Sequence, residues 1–221
     1  MNDTIQTIAV YALPVLFAIT LHEAAHAYVA KYFGDSTAYS LGRMSLNPIK
    51  HIDPFGTILL PLVLAFIPGA FVFGYAKPVP IDFGNLRKPK RDMAWVALAG
   101  PAANFLMAIL WAVLFVLLSS SSSNETLFVF LRKMGDAGVR TNLLFFAFNL
   151  LPLPPLDGGR ILTSMLPHKY AYKLAQIEPY GFFILLLLLY LHVLEFWVGP
   201  ITYGAANLIG LIVSPLNFFL N

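Results

Sequence analysis

From Met93 to Leu118 the chain runs for 26 residues without a charged side chain. That is longer than the roughly 20 apolar residues with which a helix crosses the hydrocarbon core of a bilayer. A helix apolar all round has to be enclosed by protein or by lipid. With 58% hydrophobic and only 11% charged residues among 221, the chain lacks the polar surface to enclose several such helices in water. The expectation is an all-α membrane protein, a polytopic bundle of about five or six transmembrane helices.

Other apolar runs fill most of the remaining length. A first helix is expected from about Ile5 to Phe33, with Pro14 inside it; Met1 to Gln6 lack the basic residues of a cleaved signal peptide, so it reads as retained. Thr141 to Leu151 predicts another helix, stopped by Pro152, Pro154 and Pro155 after a short amphipathic piece around Phe128 to Lys133. Two more are expected over Tyr180 to Trp197 and Ile201 to Val213, separated by Gly199-Pro200. Between the first helix and Met93 the pattern changes. The alternation through Tyr39-Ser40-Leu41-Gly42-Arg43-Met44-Ser45-Leu46 predicts a short membrane-associated β-hairpin within Thr37 to Pro48. Phe55 to Phe73 is apolar but interrupted by Pro61, Pro68 and Gly69, and a basic, Pro-rich loop follows from Gly74 to Asp92. No internal repeat stands out, and residues 1–221 read as one membrane-embedded domain with a core of about 5–166 and further helices over about 174–220.

The chemistry lies in the first helix, where His22-Glu23-Ala24-Ala25-His26 forms an H-E-x-x-H motif. Residues four apart share a helix face, so both imidazoles can reach one ion, while Glu23 projects about 100° from His22 and can stand beside that ion as a base. Zinc lowers the pKa of a bound water to about 7, and an adjacent carboxylate can take its proton. Five histidines and four glutamates would produce this motif by chance in roughly one chain in 500. Ionisable residues inside a membrane helix are also expensive unless they have a task or a partner.

A catalytic zinc needs a third protein ligand and an open fourth position. His51, His168, His192 and the acids outside the motif are the available donors. Asp157 is the best placed, in Asn149-Leu150-Leu151-Pro152-Leu153-Pro154-Pro155-Leu156-Asp157-Gly158-Gly159, although taken alone it could equally cap the segment Gly158 to Leu166. With no cysteine, thiolate zinc sites, Fe–S clusters, disulfides and thiol nucleophiles are excluded.

The H-E-x-x-H helix and the distant N-x-x-P-x-x-P-L-D-G pattern together resemble the site-2 protease family of intramembrane zinc metalloproteases. The resemblance implies one catalytic zinc ion held by His22, His26 and Asp157, with Glu23 as general base and Asn149 near the substrate or the reacting carbonyl. Gly100-Pro101-Ala102-Ala103-Asn104 is a third matching feature. There the small residues would let helices approach closely, and Asn104 would either support the transition state or bond a neighbouring backbone group. The implied form is compact, without PDZ or CBS domain, and the implied activity is regulated intramembrane proteolysis of transmembrane proteins or peptides.

The basic residues give an independent expectation of topology. Lys31, Arg43 and Lys50 precede the segment Phe55 to Phe73, and Lys77, Arg87, Lys88, Lys90 and Arg91 follow it, so both flanks read as cytoplasmic and the segment as re-entrant. The active site then faces the cytoplasmic side of a bacterial-type cell membrane. The partners expected are a transmembrane substrate, unwound to pair with the hairpin edge, and the lipid bilayer; no nucleic acid is expected, because the basic residues are scattered through short loops. A membrane H-E-x-x-H protease with a Glu ligand, a non-cleaving relative that binds membrane helices, and a metal-binding transporter remain the competing readings.

Overall fold

The structure is a computed structural model and describes residues 2–59, 63, 66, 74, 76–120 and 125–220. Helix α1 (Asn2–Tyr32) carries the H-E-x-x-H motif and accommodates the buried Pro14. It ends in two nested turns: Gly34, at φ 115°, donates to the Lys31 carbonyl and Asp35 to the Ala30 carbonyl. This is a Schellman closure, in which glycine adopts the left-handed conformation that side chains resist.

The β-hairpin expected over Thr37 to Pro48 is not there, and no strand occurs among the described residues. The cause is local. Asp35 Oδ1 accepts hydrogen bonds from Thr37 N–H (2.9 Å) and Thr37 Oγ1 (2.5 Å), which starts a helical turn, α2 (Thr37–Ser40). Gly42, φ 64°, then closes α2 with a second Schellman motif, in which Gly42 N–H reaches Tyr39 O and Arg43 N–H reaches Ala38 O. The backbone donors that a hairpin ladder needs are consumed within the turn. The Gly42 turn signal was real, but it terminates a helix.

Helix α3 (Pro89–Ser119) starts with proline in its first turn, and Asp92 Oδ2 accepts the Lys88 N–H there (2.7 Å). It packs against α1 in antiparallel register: Ala18, His22 and His26 of α1 meet Asn104, Gly100 and Val96 of α3. Helix α4 (Thr126–Asn149) is antiparallel to α3 as well, with Asn142 at Asn104, Gly138 under the Trp111 ring and Gly135 at Phe115. Hence α1 and α4 run in the same direction, and their C-terminal ends lie beside the N-terminal end of α3. The amphipathic piece and the run Thr141 to Leu151 are one continuous helix, α4.

The connection from α1 to α3 returns to its starting point, because Arg87 N–H donates to the Phe33 carbonyl (3.0 Å). The re-entrant reading of Phe55 to Phe73 falls on a stretch of which only 55–59, 63 and 66 are described, and there Pro54–Leu59 forms a π-helical turn; the rest lies outside the described residues.

A turn at 150–156 leads into α5 (Asp157–Met165), followed by α6 (His168–Ala175), α7 (Gly181–Tyr190) and α8 (Val193–Leu220). Helix α8 runs through Gly199-Pro200, where a break was expected. Membrane helices tolerate proline when neighbours accommodate the freed carbonyl, and the actual break is at His192, φ 58°, whose Nδ1 meets Glu195 Oε1 at 2.7 Å. Ala108 and Ala112 of α3, Leu143 of α4 and Ala205, Ile209 and Val213 of α8 form the principal apolar core. Among the described residues, four helical stretches are long and apolar enough to cross a membrane, Ile5–Tyr32, Pro89–Ser119, His168–Tyr190 and Val193–Leu216, against the five or six expected. Helix α4 falls short because four charged residues, Arg132, Lys133, Asp136 and Arg140, lie along it.

Candidate metal centre

Three buried side chains converge near the end of α1. His22 Nε2 and His26 Nε2 are 3.1 Å apart, and Asp157 Oδ2 lies 3.2 Å from the first and 3.3 Å from the second. The i, i+4 spacing supplies the two imidazoles. Asp157 arrives from the far end of the chain because α5 begins there, with Gly158 and Gly159 seated on the turn formed by Leu150, Leu151, Leu153 and Pro154. A Cβ at either glycine would collide with that backbone. Asp157 does not cap α5, since Leu156 occupies the cap position and no side-chain cap bond is made.

The outward-facing imidazole nitrogens fix the tautomers. Asn104 Nδ2 donates to the Ala18 carbonyl and to Asn142 Oδ1 (both 3.1 Å), so Asn104 Oδ1 faces His22 Nδ1 (2.7 Å) as an acceptor and that nitrogen carries the proton. His26 Nδ1 lies 2.7 Å from the Val96 carbonyl and is protonated for the same reason. With both protons directed away, two bare Nε2 lone pairs face each other, and Asp157 Oδ2 joins them buried and without a hydrogen-bond partner. Three electron-rich atoms this close call for a cation between them.

The spacing fits zinc. Tetrahedral zinc with N and O donors at about 2.0–2.2 Å places neighbouring donors about 3.3–3.5 Å apart, close to the 3.1, 3.2 and 3.3 Å found. These three residues form the one group among the described residues whose donor atoms could jointly hold a metal ion. Three protein ligands leave a fourth position for water or substrate.

Helix α3 can pass this close because of Gly100, whose missing side chain makes room for both imidazoles; a Cβ would stand 2.5 Å from His22 Cε1 and 2.6 Å from His26 Cε1. Glu23, half-buried beside the pair, accepts the Val79 N–H through Oε2 at 2.7 Å. The structure thus gathers His22, Glu23, His26 and Asp157, with Asn104 bonded to His22. It does not draw Asn149 into the donor cluster: at the end of α4, its Nδ2 donates to the Phe145 carbonyl of the preceding turn (3.1 Å).

Sequence reasoning missed Asn142, which donates to the Gly138 carbonyl (2.9 Å) and anchors Asn104. A polar amide within the apolar run Thr141 to Leu151 was the available signal. The roles of the Val96 carbonyl and the Val79 N–H had no such signal, because any residue supplies those backbone groups.

Comparison with known proteins gives a consistent picture. The model of peptidase family M50 matches residues 10–141 and 136–189. YwhC of Bacillus subtilis, named a candidate zinc metalloprotease, is 42% identical over 179 residues, covering 80% of this chain and 78% of that protein. Rip2 of Mycolicibacterium smegmatis, named likewise, is 30% identical over 188 residues, 85% of this chain and 69% of the relative. The zinc metalloprotease MJ0392 of Methanocaldococcus jannaschii is 25% identical over 172 residues, 78% of this chain and 38% of the relative. No solved structure matches. The convergent buried donors, the helices long and apolar enough to span a bilayer and the family match agree: the chain belongs to peptidase family M50, as a membrane-embedded zinc metalloprotease of the site-2 type.

Proposed function

We propose that His22, His26 and Asp157 ligate one catalytic zinc ion, that Glu23 is the general base, and that the reaction is hydrolysis of peptide bonds in or near transmembrane segments of other membrane proteins. The observation that carries this is the buried trio His22 Nε2, His26 Nε2 and Asp157 Oδ2, whose donor atoms lie 3.1–3.3 Å apart. Bound there, zinc supplies a Lewis acid and an activated water. Glu23 takes a proton as water adds to the substrate carbonyl and returns it to the departing amine. With Oε2 held by Val79 N–H, Oε1 is the oxygen left for that proton. Asn104 and the Val96 carbonyl keep the imidazoles in the tautomer that presents Nε2. Asn149, eight residues ahead of Asp157 at the end of α4, contacts the substrate backbone in this reading.

The catalytic unit is one membrane domain, and its partners are a transmembrane substrate, locally unwound to expose its carbonyls, and the lipid bilayer. The site lies towards the cytoplasmic face of a bacterial-type cell membrane. Support comes from Lys31 at the end of α1 and from Lys88, Lys90 and Arg91 at the start of α3, which share the end of the bundle where the donors converge.

The test is cleavage of a panel of membrane-protein substrates by wild type and Glu23→Gln, with zinc measured in both. Zinc-loaded Glu23→Gln should be at least about 100-fold slower, and equal rates would remove Glu23 as the base. Single cysteines replacing Ser45 and Asn85 should both label from the cytoplasmic side.

A further inference from the structure

Lys77-Pro78-Val79-Pro80 leaves few backbone polar groups unassigned. Prolines have no N–H, so Lys77 and Val79 carry the only donors of these four residues. Lys77 N–H donates to the His51 carbonyl (3.0 Å), and Val79 N–H donates to Glu23 Oε2 (2.7 Å). Arg43 Nη2 donates to the carbonyls of Lys77 (3.0 Å) and Pro78 (3.4 Å). The Pro78–Val79 peptide is therefore held at both ends, its C=O by a guanidinium and its N–H by the carboxylate beside the histidine pair. Nothing between Arg43 and Glu23 is a side chain, so motif reading passes over the connection.

We propose that Arg43 is a positioning residue for Glu23, acting through the Pro78–Val79 peptide unit. The proposal rests on the reading of Glu23 as the base. A peptide unit is planar and rigid, so a guanidinium holding its carbonyl sets the direction of its N–H, which in turn selects one orientation of the Glu23 carboxylate. His51 braces the same strap from behind: it is buried, its Nε2 meets the Ser45 carbonyl at 2.8 Å, and its own carbonyl receives Lys77 N–H. The Arg43 planar fork is suited to this task because one charged nitrogen can serve two neighbouring carbonyls. Arg43 touches neither zinc donors nor Glu23, so its removal should slow turnover without emptying the metal site.

The experiment compares wild type, Arg43→Gln, Arg43→Lys and Glu23→Gln in detergent, measuring zinc content, kcat and KM on one membrane substrate, and amide hydrogen exchange. Because prolines flank it, Val79 exchange is read from one peptide with a single new label. In Arg43→Gln we expect full zinc, a KM within about twofold, kcat lower by about 10- to 100-fold, and Val79 exchange at least about tenfold faster. Arg43→Lys should recover part of both losses. Glu23→Gln tests the underlying reading separately, since its full activity would sink the base assignment whatever Arg43 does. Given an inactive Glu23→Gln, the proposal is overturned if Arg43→Gln keeps wild-type kcat or wild-type Val79 exchange. It is overturned equally if both arginine variants lose zinc and kcat in parallel.

Discussion

Gly100→Ala is the smallest change that should dismantle the metal centre. The added Cβ would stand 2.5 Å from His22 Cε1 and 2.6 Å from His26 Cε1, where carbon atoms in favourable contact keep about 3.5–4.0 Å. The shortfall is about 1 Å. The helices resist parting to absorb it, because Asn104 Nδ2 on α3 is bonded to the Ala18 carbonyl of α1 (3.1 Å) one turn away. The rings must swing, and zinc sites tolerate about 0.2 Å in ligand distance. Displacing two of three donors by several times that amount should weaken zinc binding at least about 100-fold, or about 2.7 kcal/mol. Overpacking alone costs about 1–3 kcal/mol, less than the stability of a typical folded domain, so the variant should remain helical. Zinc affinity is measurable by competition with a chromophoric chelator in detergent, with circular dichroism as the check on folding. Gly204→Ala is the control, because nothing lies within 4 Å of a Cβ there. Zinc affinity in Gly100→Ala within threefold of wild type would refute the reasoning.

Asp157→Ala should lose the metal while retaining helix content; an Asp157→Ala protein that holds zinc as tightly as wild type would return the third-ligand question to another acid. Asn104→Leu removes the acceptor for His22 Nδ1 and should weaken zinc by about 10- to 100-fold, while kcat at saturating zinc stays within a few-fold. A collapse of kcat with zinc bound would instead put Asn104 at the reacting carbonyl. Burial pushes the Asp35 carboxyl up, but hydrogen bonds from Thr37 Oγ1, the Thr37 and Asp82 N–H groups and Asn85 outweigh it and hold Asp35 below the ordinary 3.8. A lowered carboxylate contributes stability that is present above its unfolded value and lost as pH falls through the folded one. Asp35→Asn should therefore loosen the Gly34–Arg87 junction at pH 7, measured as faster tryptic cleavage at Arg87 or a lower unfolding temperature. The difference in unfolding temperature should begin to shrink as pH drops below about 4 and vanish only as pH falls through the lowered folded value, and a difference undiminished at pH 3 would contradict this.

Much of the centre was legible because the background is so apolar. In a chain with 11% charged residues, His22, Glu23, His26 and Asp157 stand out, and the helix period alone aligns the two histidines. Long uniform spans were legible for the same reason, and α3 differs from its expected bounds by a few residues at the start. What failed was local polar chemistry. Alternation in Tyr39 to Leu46 has the strand period, yet Asp35, four residues upstream, captures Thr37 and commits the backbone to a turn. Gly199-Pro200 has the composition of a break, but whether proline interrupts a membrane helix depends on its neighbours. The Asn142–Asn104–His22 relay and the Val79–Glu23 bond are set by tertiary register, which no window of sequence contains.

The donor set also has an order in time. His22 and Asp157 stand 135 residues apart, so the two imidazoles enter the membrane long before the carboxylate exists. On the proposed ligand set, a nascent chain holding only α1 would offer zinc two ligands, one short of the three that a catalytic site uses. A complete site on that ligand set needs α3 to place Gly100 and Asn104 alongside α1 and α5 to deliver Asp157. Zinc loading would then report completed insertion, and a hydrolase made inside a membrane full of other proteins' helices would stay inert until its own bundle had closed.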